Sequence, residues 1–266
     1  MVLRGFALLI ALLSAPIALG AERSACPTEL VADRLVSVSP EGDLRLASGR
    51  VARLADLRLP DEAPAREAAL GWLREHGGAA LGLHVGPADR WGRVPVRAAP
   101  EAAPSADFAE GLVRAGFALV DPGEAEELCR PGLLQSEAEA RRGRIGLWRG
   151  EAHQPIAAEA EERLRERVGR FAIVEGRIAQ VGERGTRTYL NFGRRWAEDF
   201  TVVLPKPTWA QITSQGHSAL SLRGRRIRVR GVLEAWNGTA LTIHAPEALE
   251  ILPLEPRRTT RAEDAR

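Results

Sequence analysis

Cysteine is nearly missing from this sequence. Its 266 residues include two, Cys26 and Cys129, and neither sits in a CxxC pair. The five histidines, His76, His84, His153, His217 and His244, stand apart from one another. The chain therefore lacks the clustered thiolates and imidazoles that mark a transition-metal site. Lysine is scarcer still: Lys206 is the only one, so nearly all positive charge is arginine. Aromatic residues make up 5% of the chain, partly compensated as core material by six tryptophans. Beyond the N-terminal segment no apolar run is long enough to span a bilayer, which leaves no later membrane helix to expect.

What remains is globular in character. Hydrophobic residues at 45% and charged residues at 27% fit a folded protein, and the length suits about two domains. Residues 1–21 read MVLRGFALLIALLSAPIALGA: a positive Arg4, a short apolar run broken at Pro16, and small residues at Gly20 and Ala21. This has the form of a secretory signal peptide cleaved after Gly20 or Ala21, with an uncleaved anchor as the alternative. The stretch ERSAC before Cys26 lacks the small apolar residues of a lipoprotein signal. Export, to the periplasm or outside the cell, is expected. In an oxidising compartment Cys26 and Cys129 are expected to pair, tying the mature N-terminus to a loop before the third helix.

Charge is divided between two halves. Residues 22–167 carry 20 basic and 25 acidic side chains, and residues 168–253 carry 12 and 7. The alanine-rich, charged stretch at 149–167 separates them as a connector that is helical if ordered. An acidic half and a basic half suggest different tasks, although ordinary solvated surface charge gives the same balance. The polar tail at 254–266 is expected to be disordered.

In the first half, ELVADRLVSVSPEGDLRLASGRVARLADLRLP reads as strands broken at Pro40–Asp43 and at Ser48-Gly49, with RLADLRLPD a short strand ending at Pro60. DEAPAREAALGWLREHGG reads as a helix anchored by Leu70, Trp72 and Leu73. ALGLHV is a strand, GPADRWGRVPVRA a loop entering another, and DFAEGLVRAGFALVDP a short helix with an extended exit. GLLQSEAEARRGRIGLW reads as a third helix. The fold class is mainly β with α: a small barrel with helices interposed.

Five strings in order and at suitable spacing, the EGD turn, RLADLRLPD, DRWGR, FAEGLVRAGFALV and SEAEARRGRIGLW, make residues from about 35 to 148 similar to the staphylococcal nuclease-like (thermonuclease) family. The resemblance implies a five-stranded OB barrel with three helices over 22–148, and calcium-dependent hydrolysis of phosphodiesters in DNA or RNA. It also implies roles. Asp43 matches the metal carboxylate of the first turn, Arg53 and Arg93 the two phosphate-binding arginines, and Asp61 the position of the glutamate base. The chemistry suits these types. Calcium takes several oxygen ligands, arginine forks grip phosphate and stabilise transition-state charge, and a carboxylate orients or deprotonates water.

This sequence departs from the family pattern. Arg58 stands where the second metal carboxylate belongs, five residues after Arg53. Leu59 and Leu44 replace threonines, and Asp61 is one methylene shorter than glutamate. Two like unit charges about 4 Å apart interact by about 4 kcal/mol at an effective dielectric of about 20, so an inward Arg58 would weaken a calcium site by several powers of ten. Three readings of Arg58 stay open: it replaces the metal's charge and binds phosphate or nucleic acid without cutting; it turns to solvent and leaves Asp56 or Asp61 to hold a metal differently; or the barrel is a scaffold. Arg53 and Arg93 can equally form salt bridges with Asp43 and Asp61.

The second half, 168–253, reads as another small OB-like β barrel. RFAIVEGRIAQVGE is a long strand, TRTYLNFG and DFTVVLP are two more, PTWAQITSQG a helix, and GRRIRVRGVLEAWNGTALTIHAPEALEIL a hairpin about Asn237-Gly238. The segments YLNFG…W…DFTVVLP and RGRRIRVRGVLE look like the domain appended to many bacterial nuclease homologues. Arg226, Arg228 and Arg230 share one face by period two and, with Tyr189, Phe192, Trp196, Phe200, Trp209 and Trp236, could bind single-stranded nucleic acid. Core aromatics and an exposed arginine face are the plainer alternative. Asn237-Gly238-Thr239 also fits a glycosylation acceptor.

Overall fold

Two glycine turns shape the start of the chain in this computed structural model, which describes residues 26–193, 198–236 and 238–253. Gly42 (φ 89°) and Gly49 (φ 86°) adopt left-handed conformations that glycine tolerates. Between and beside them run β1 (Glu29–Val38), β2 (Leu44–Leu46) and β3 (Val51–Leu54). Leu44, Leu46, Ala52 and Leu54 point inward by strict alternation and are buried. The chain then turns at Asp56 (φ 64°) into β4 (Leu57–Arg58). RLADLRLPD is therefore two strands, not one, and β4 leaves the barrel to pair with β7 (Leu119–Val120).

Helix α1 (Ala63–Arg74) begins with a proline in its first turn and buries Ala69, Leu70 and Leu73. Strands β5 (Ala80–Val85) and β6 (Arg93–Pro100) complete a closed barrel in the order β1-β2-β3-β6-β5. Only β3 and β6 are parallel. A bulge between Leu35 and Ser37 lets β1 serve both neighbours. Helix α2 (Phe108–Arg114) is capped by Asp107, whose side chain accepts the Glu110 N–H at 3.1 Å. Helix α3 (Gly132–Arg142) stops at Gly143, short of the expected end, and a separate 3-10 turn covers Gly146–Arg149. The reason is a close crossing: Gly146 has φ 54°, and a Cβ there would lie 2.3 Å from the Gly116 carbonyl oxygen. Cys26 and Cys129 form a disulfide.

The connector at 149–167 holds β8 (Ile156–Ala157) and α4 (Glu161–Arg165). Rather than stand as a free helical linker, it adds β8 in parallel to β9 (Phe171–Arg177). Then follow β10 (Gln180–Arg184), β11 (Arg187–Asn191), β12 (Thr201–Pro205), α5 (Lys206–Ser214), α6 (Ala219–Leu222), β13 (Arg226–Ala235), β14 (Thr239–Thr242) and β15 (Leu249–Ile251). The sheet runs β10-β11-β12-β14-β13-β9-β8, with β15 on β13. Strand β9 passes into β10 through only Ile178 and Ala179, so the chain itself joins the two flanks. With β9–β10 taken as one bent strand, the pairings repeat those of the first barrel. In both, the third and fifth strands are parallel and a helix precedes the fourth.

The two halves meet across an apolar cluster: Leu119, Ala140, Leu147 and Trp148 from the first, Phe171 and Ile173 from the second. Among the described residues no helix is long and apolar enough to cross a membrane. The proposed signal segment, Trp196, Asn237 of the acceptor pattern and the tail 254–266 lie outside the described residues.

Candidate anion-binding cleft

Strands β3 and β6 run side by side, so Arg53 pairs in register with Pro95 and Arg93 opens β6 two residues earlier. The turn at Asp56 then brings Arg58 and Asp61 back toward them. Arg53, Arg58, Asp61 and Arg93 line one cleft of about 560 Å³, together with Glu41, Arg66, Asp89 and Asp121. The structure thus gathers four of the residues read from the sequence, while Asp43 lies behind Arg53 and does not line the cleft.

Each arginine is already held. Arg53 Nε donates to Asp43 Oδ1 at 2.8 Å. Arg58 Nε donates to Asp121 Oδ2 at 3.0 Å, and its guanidinium carbon lies 5.3 Å from the Phe171 ring centroid. Arg93 gives both Nε and Nη2 to Asp89 Oδ2, each at 2.8 Å. Its partner is therefore Asp89, not the Asp61 considered from the sequence, because the 89–93 turn places the two side by side. Slight burial pushes the Asp89 carboxyl up, but bonds from the Arg93 and Trp91 backbones and the Arg93 side chain outweigh it and hold it below the usual carboxylate range. Arg66 donates to the carbonyls of Pro40 and Pro60, both at 3.1 Å, and braces the two turns that form one wall. At the rim Trp91 is exposed, with the guanidinium carbons of Arg90 and Arg93 at 3.9 and 4.8 Å from its ring.

The donors do not fit a calcium ion. Calcium needs several convergent oxygens, but the Asp43 carboxylate is buried and bonded to Arg53, and Arg58 occupies the neighbouring wall. Among the described residues no group of three or more His, Cys, Asp or Glu side chains converges as a metal site. The cleft can receive an oxyanion instead. The bonds to Asp43 and Asp121 engage the Nε of Arg53 and Arg58, so the outer amino groups of both forks lie outside those bonds.

The arginines of β13 have a different task from the one expected. They do share a face, but that face meets carboxylates. Arg226 Nη2 lies 3.0 Å from Glu175 Oε2. Arg228 binds Glu175 Oε1 at 2.8 Å and Glu250 Oε2 at 3.2 Å. Arg230 is 2% exposed. It donates to Glu137 Oε2 at 2.8 Å, the Val120 carbonyl at 3.0 Å and Glu250 Oε1 at 2.6 Å. Burial opposes its charge, yet Glu137 and Glu250 outweigh that and raise its pKa further. Arg230 is thus an internal tie between the halves and is closed to nucleic acid.

Sequence reasoning missed Asp89, Asp121 and Arg66 in the cleft and Glu137 at the interface. Glu137 had a signal, since it falls four residues after Leu133 and three before Ala140 on one buried helical stripe. Asp89 also had one, four residues before Arg93. No family model and no curated protein sequence matches this chain.

Proposed function

We propose that this is an exported protein of the thermonuclease-like kind, built from two OB-type barrels, whose cleft grips a phosphodiester of DNA or RNA with little or no hydrolysis. The observation that carries the reading is the arrangement of Arg53, Arg58 and Arg93 around one cleft, with Asp61 beside them and Asp43 bonded to Arg53. The barrel order β1-β2-β3-β6-β5, with its parallel β3–β6 contact, supports the OB reading. The Cys26–Cys129 disulfide supports an oxidising destination.

A phosphate entering the cleft meets the outer amino groups of Arg53 and Arg58 as a two-armed donor. Bound calcium would supply a Lewis acid and a nucleophilic water. Here the place of its second carboxylate is taken by a cation, so charge neutralisation falls to Arg58. Asp61 lines the same cleft and could orient a water, but the donor set does not suit the ion that would lower that water's pKa. Binding therefore outlasts catalysis.

The test is paired binding and cleavage of a labelled oligonucleotide, with and without calcium. The full chain should bind at low salt, lose affinity steeply as salt rises, and cleave negligibly. Arg93→Ala should weaken binding about tenfold, the size of one charge-assisted contact of about 1.4 kcal/mol. Arg58→Asp should raise calcium affinity, and Asp61→Glu added to it should favour cleavage. Robust calcium-dependent cleavage by the wild type that Arg58→Asp leaves unchanged would overturn the proposal. A scaffold role is favoured by one specific observation, the double hold of Asp89 on Arg93, and absence of oligonucleotide binding at low salt would select it.

A further inference from the structure

The second half has a cavity of its own, remote from the arginine cleft. It measures about 540 Å³ and is floored by β10, β11 and β12. A separate hollow of about 350 Å³ beside α6 shares Gln180 and Val181 with its lining. Two rings form its wall: Tyr189, the only tyrosine of the chain, and Trp236, with centroids 5.7 Å apart. Trp236 is 40% exposed, and among the described tryptophans Trp91 alone is more open. On the same face as Tyr189, two residues further along β11, stands Asn191. Thr201 donates to Asn191 Oδ1 at 3.1 Å, which fixes the amide and leaves its Nδ2 protons outside that bond. Glu183 pairs with Thr188, one residue before Tyr189, so its carboxylate lies on the other face of the sheet, where it accepts the Trp209 indole N–H at 3.1 Å.

We propose that this groove binds a neutral oligosaccharide. The volume is that of a small-molecule site. Flat aromatic faces carry negative quadrupole charge and attract the weakly positive C–H face of a sugar ring, while the oriented Asn191 amide donates to its hydroxyls. Single-stranded nucleic acid would also stack on the rings, but it needs cations for its phosphates. The cation lining the groove, Arg184, has its Nη1 turned onto the Glu183 carbonyl at 3.1 Å. The arginines that could have supplied positive charge, Arg226, Arg228 and Arg230, are paired with carboxylates on another part of the sheet. A groove of aromatic and polar groups whose one lining cation is engaged by a backbone carbonyl is matched by an uncharged polymer of hydroxylated rings.

Isothermal titration of the full chain with cellohexaose, maltohexaose and chitohexaose, beside a labelled oligothymidylate, tests this. At least one neutral oligosaccharide should bind, with affinity unchanged between about 50 and about 300 mM salt, where phosphate contacts would weaken by orders of magnitude. Trp236→Ala should lower that affinity at least tenfold, Trp236→Phe should restore most of it, and Arg53→Ala in the cleft should leave it untouched. Asn191→Ala gives a second loss of affinity independent of the ring. Failure of all three sugars to bind, or binding that Trp236→Ala and Asn191→Ala leave unchanged, overturns the proposal. So does oligothymidylate binding that Trp236→Ala abolishes and Arg53→Ala spares.

Discussion

Asp56 carries an ionisable carboxyl where the fold gives it few partners. It turns the chain with φ 64° and is 7% exposed. Its Oδ1 accepts the Cys129 N–H at 3.1 Å, while Oδ2 has no partner. Burial pushes its pKa from 3.8 to about 6, against the pull of the Cys129 and Arg130 N–H groups and the Arg130 charge, with Glu247 adding to the rise. A carboxyl whose folded pKa exceeds its unfolded one holds its proton more tightly in the folded chain. Its contribution is therefore favourable at low pH and is lost as pH climbs from about 4 through about 6. Two pKa units correspond to about 3 kcal/mol. Asp56→Asn keeps the acceptor and suits the left-handed backbone, so it should flatten that slope and stabilise the protein at pH 7 by up to about 3 kcal/mol. Urea denaturation between pH 4 and pH 8 measures both effects. At this scale Arg53, Arg58, Asp61 and Arg93 were legible because motif spacing survives in the linear chain. Asp121 and Asp56 were not, because a partner 63 residues from Arg58 and a left-handed turn inside an apparent strand leave no local pattern.

Among the elements, the strands of both halves, the first two helices and the hairpin after Ala235 follow their apolar alternation and turn residues closely. The errors come where a tertiary contact overrides the local pattern. The stretch RLADLRLPD alternates well enough for one strand, but pairing of Arg58 with Leu119 draws its end into another sheet. The segment after Arg142 continues a helical stripe, but Leu147 N–H bonds to the Gly116 carbonyl at 2.8 Å, and the two glycines let the backbones touch. Gly146→Ala should then cost at least about 2 kcal/mol, from the left-handed strain and the clash together. Thermal denaturation by circular dichroism reads it, and Gly150→Ala, where a Cβ would meet nothing within 4 Å, is the control.

At the level of the whole molecule, the two halves are bound by ions as well as by apolar contact. Glu137 is fully buried, accepts the Val120 N–H at 2.8 Å and receives Arg230. Arg230→Met leaves that carboxylate only Arg141, its Nη1 3.6 Å away, as a cationic partner and should cost about 3 kcal/mol, whereas adding Glu137→Gln should recover part of the loss, since a neutral amide still accepts from Val120. Urea midpoints of the three proteins decide it. Nothing in the basic string RRIRVR announced that its arginines face glutamates, because charge pattern along a strand is silent about what packs on it. The disulfide adds a constraint of another kind. From Cys26 to Cys129 it closes a covalent ring, 103 residues apart in sequence, that contains every strand of the first barrel and all the arginines of the cleft. A protease that nicks an exposed turn inside this ring, such as the one bearing Trp91, opens the chain without freeing a fragment. The two pieces stay tethered and keep packing against one another, so a single cut leaves a protein that is broken in sequence but whole in space.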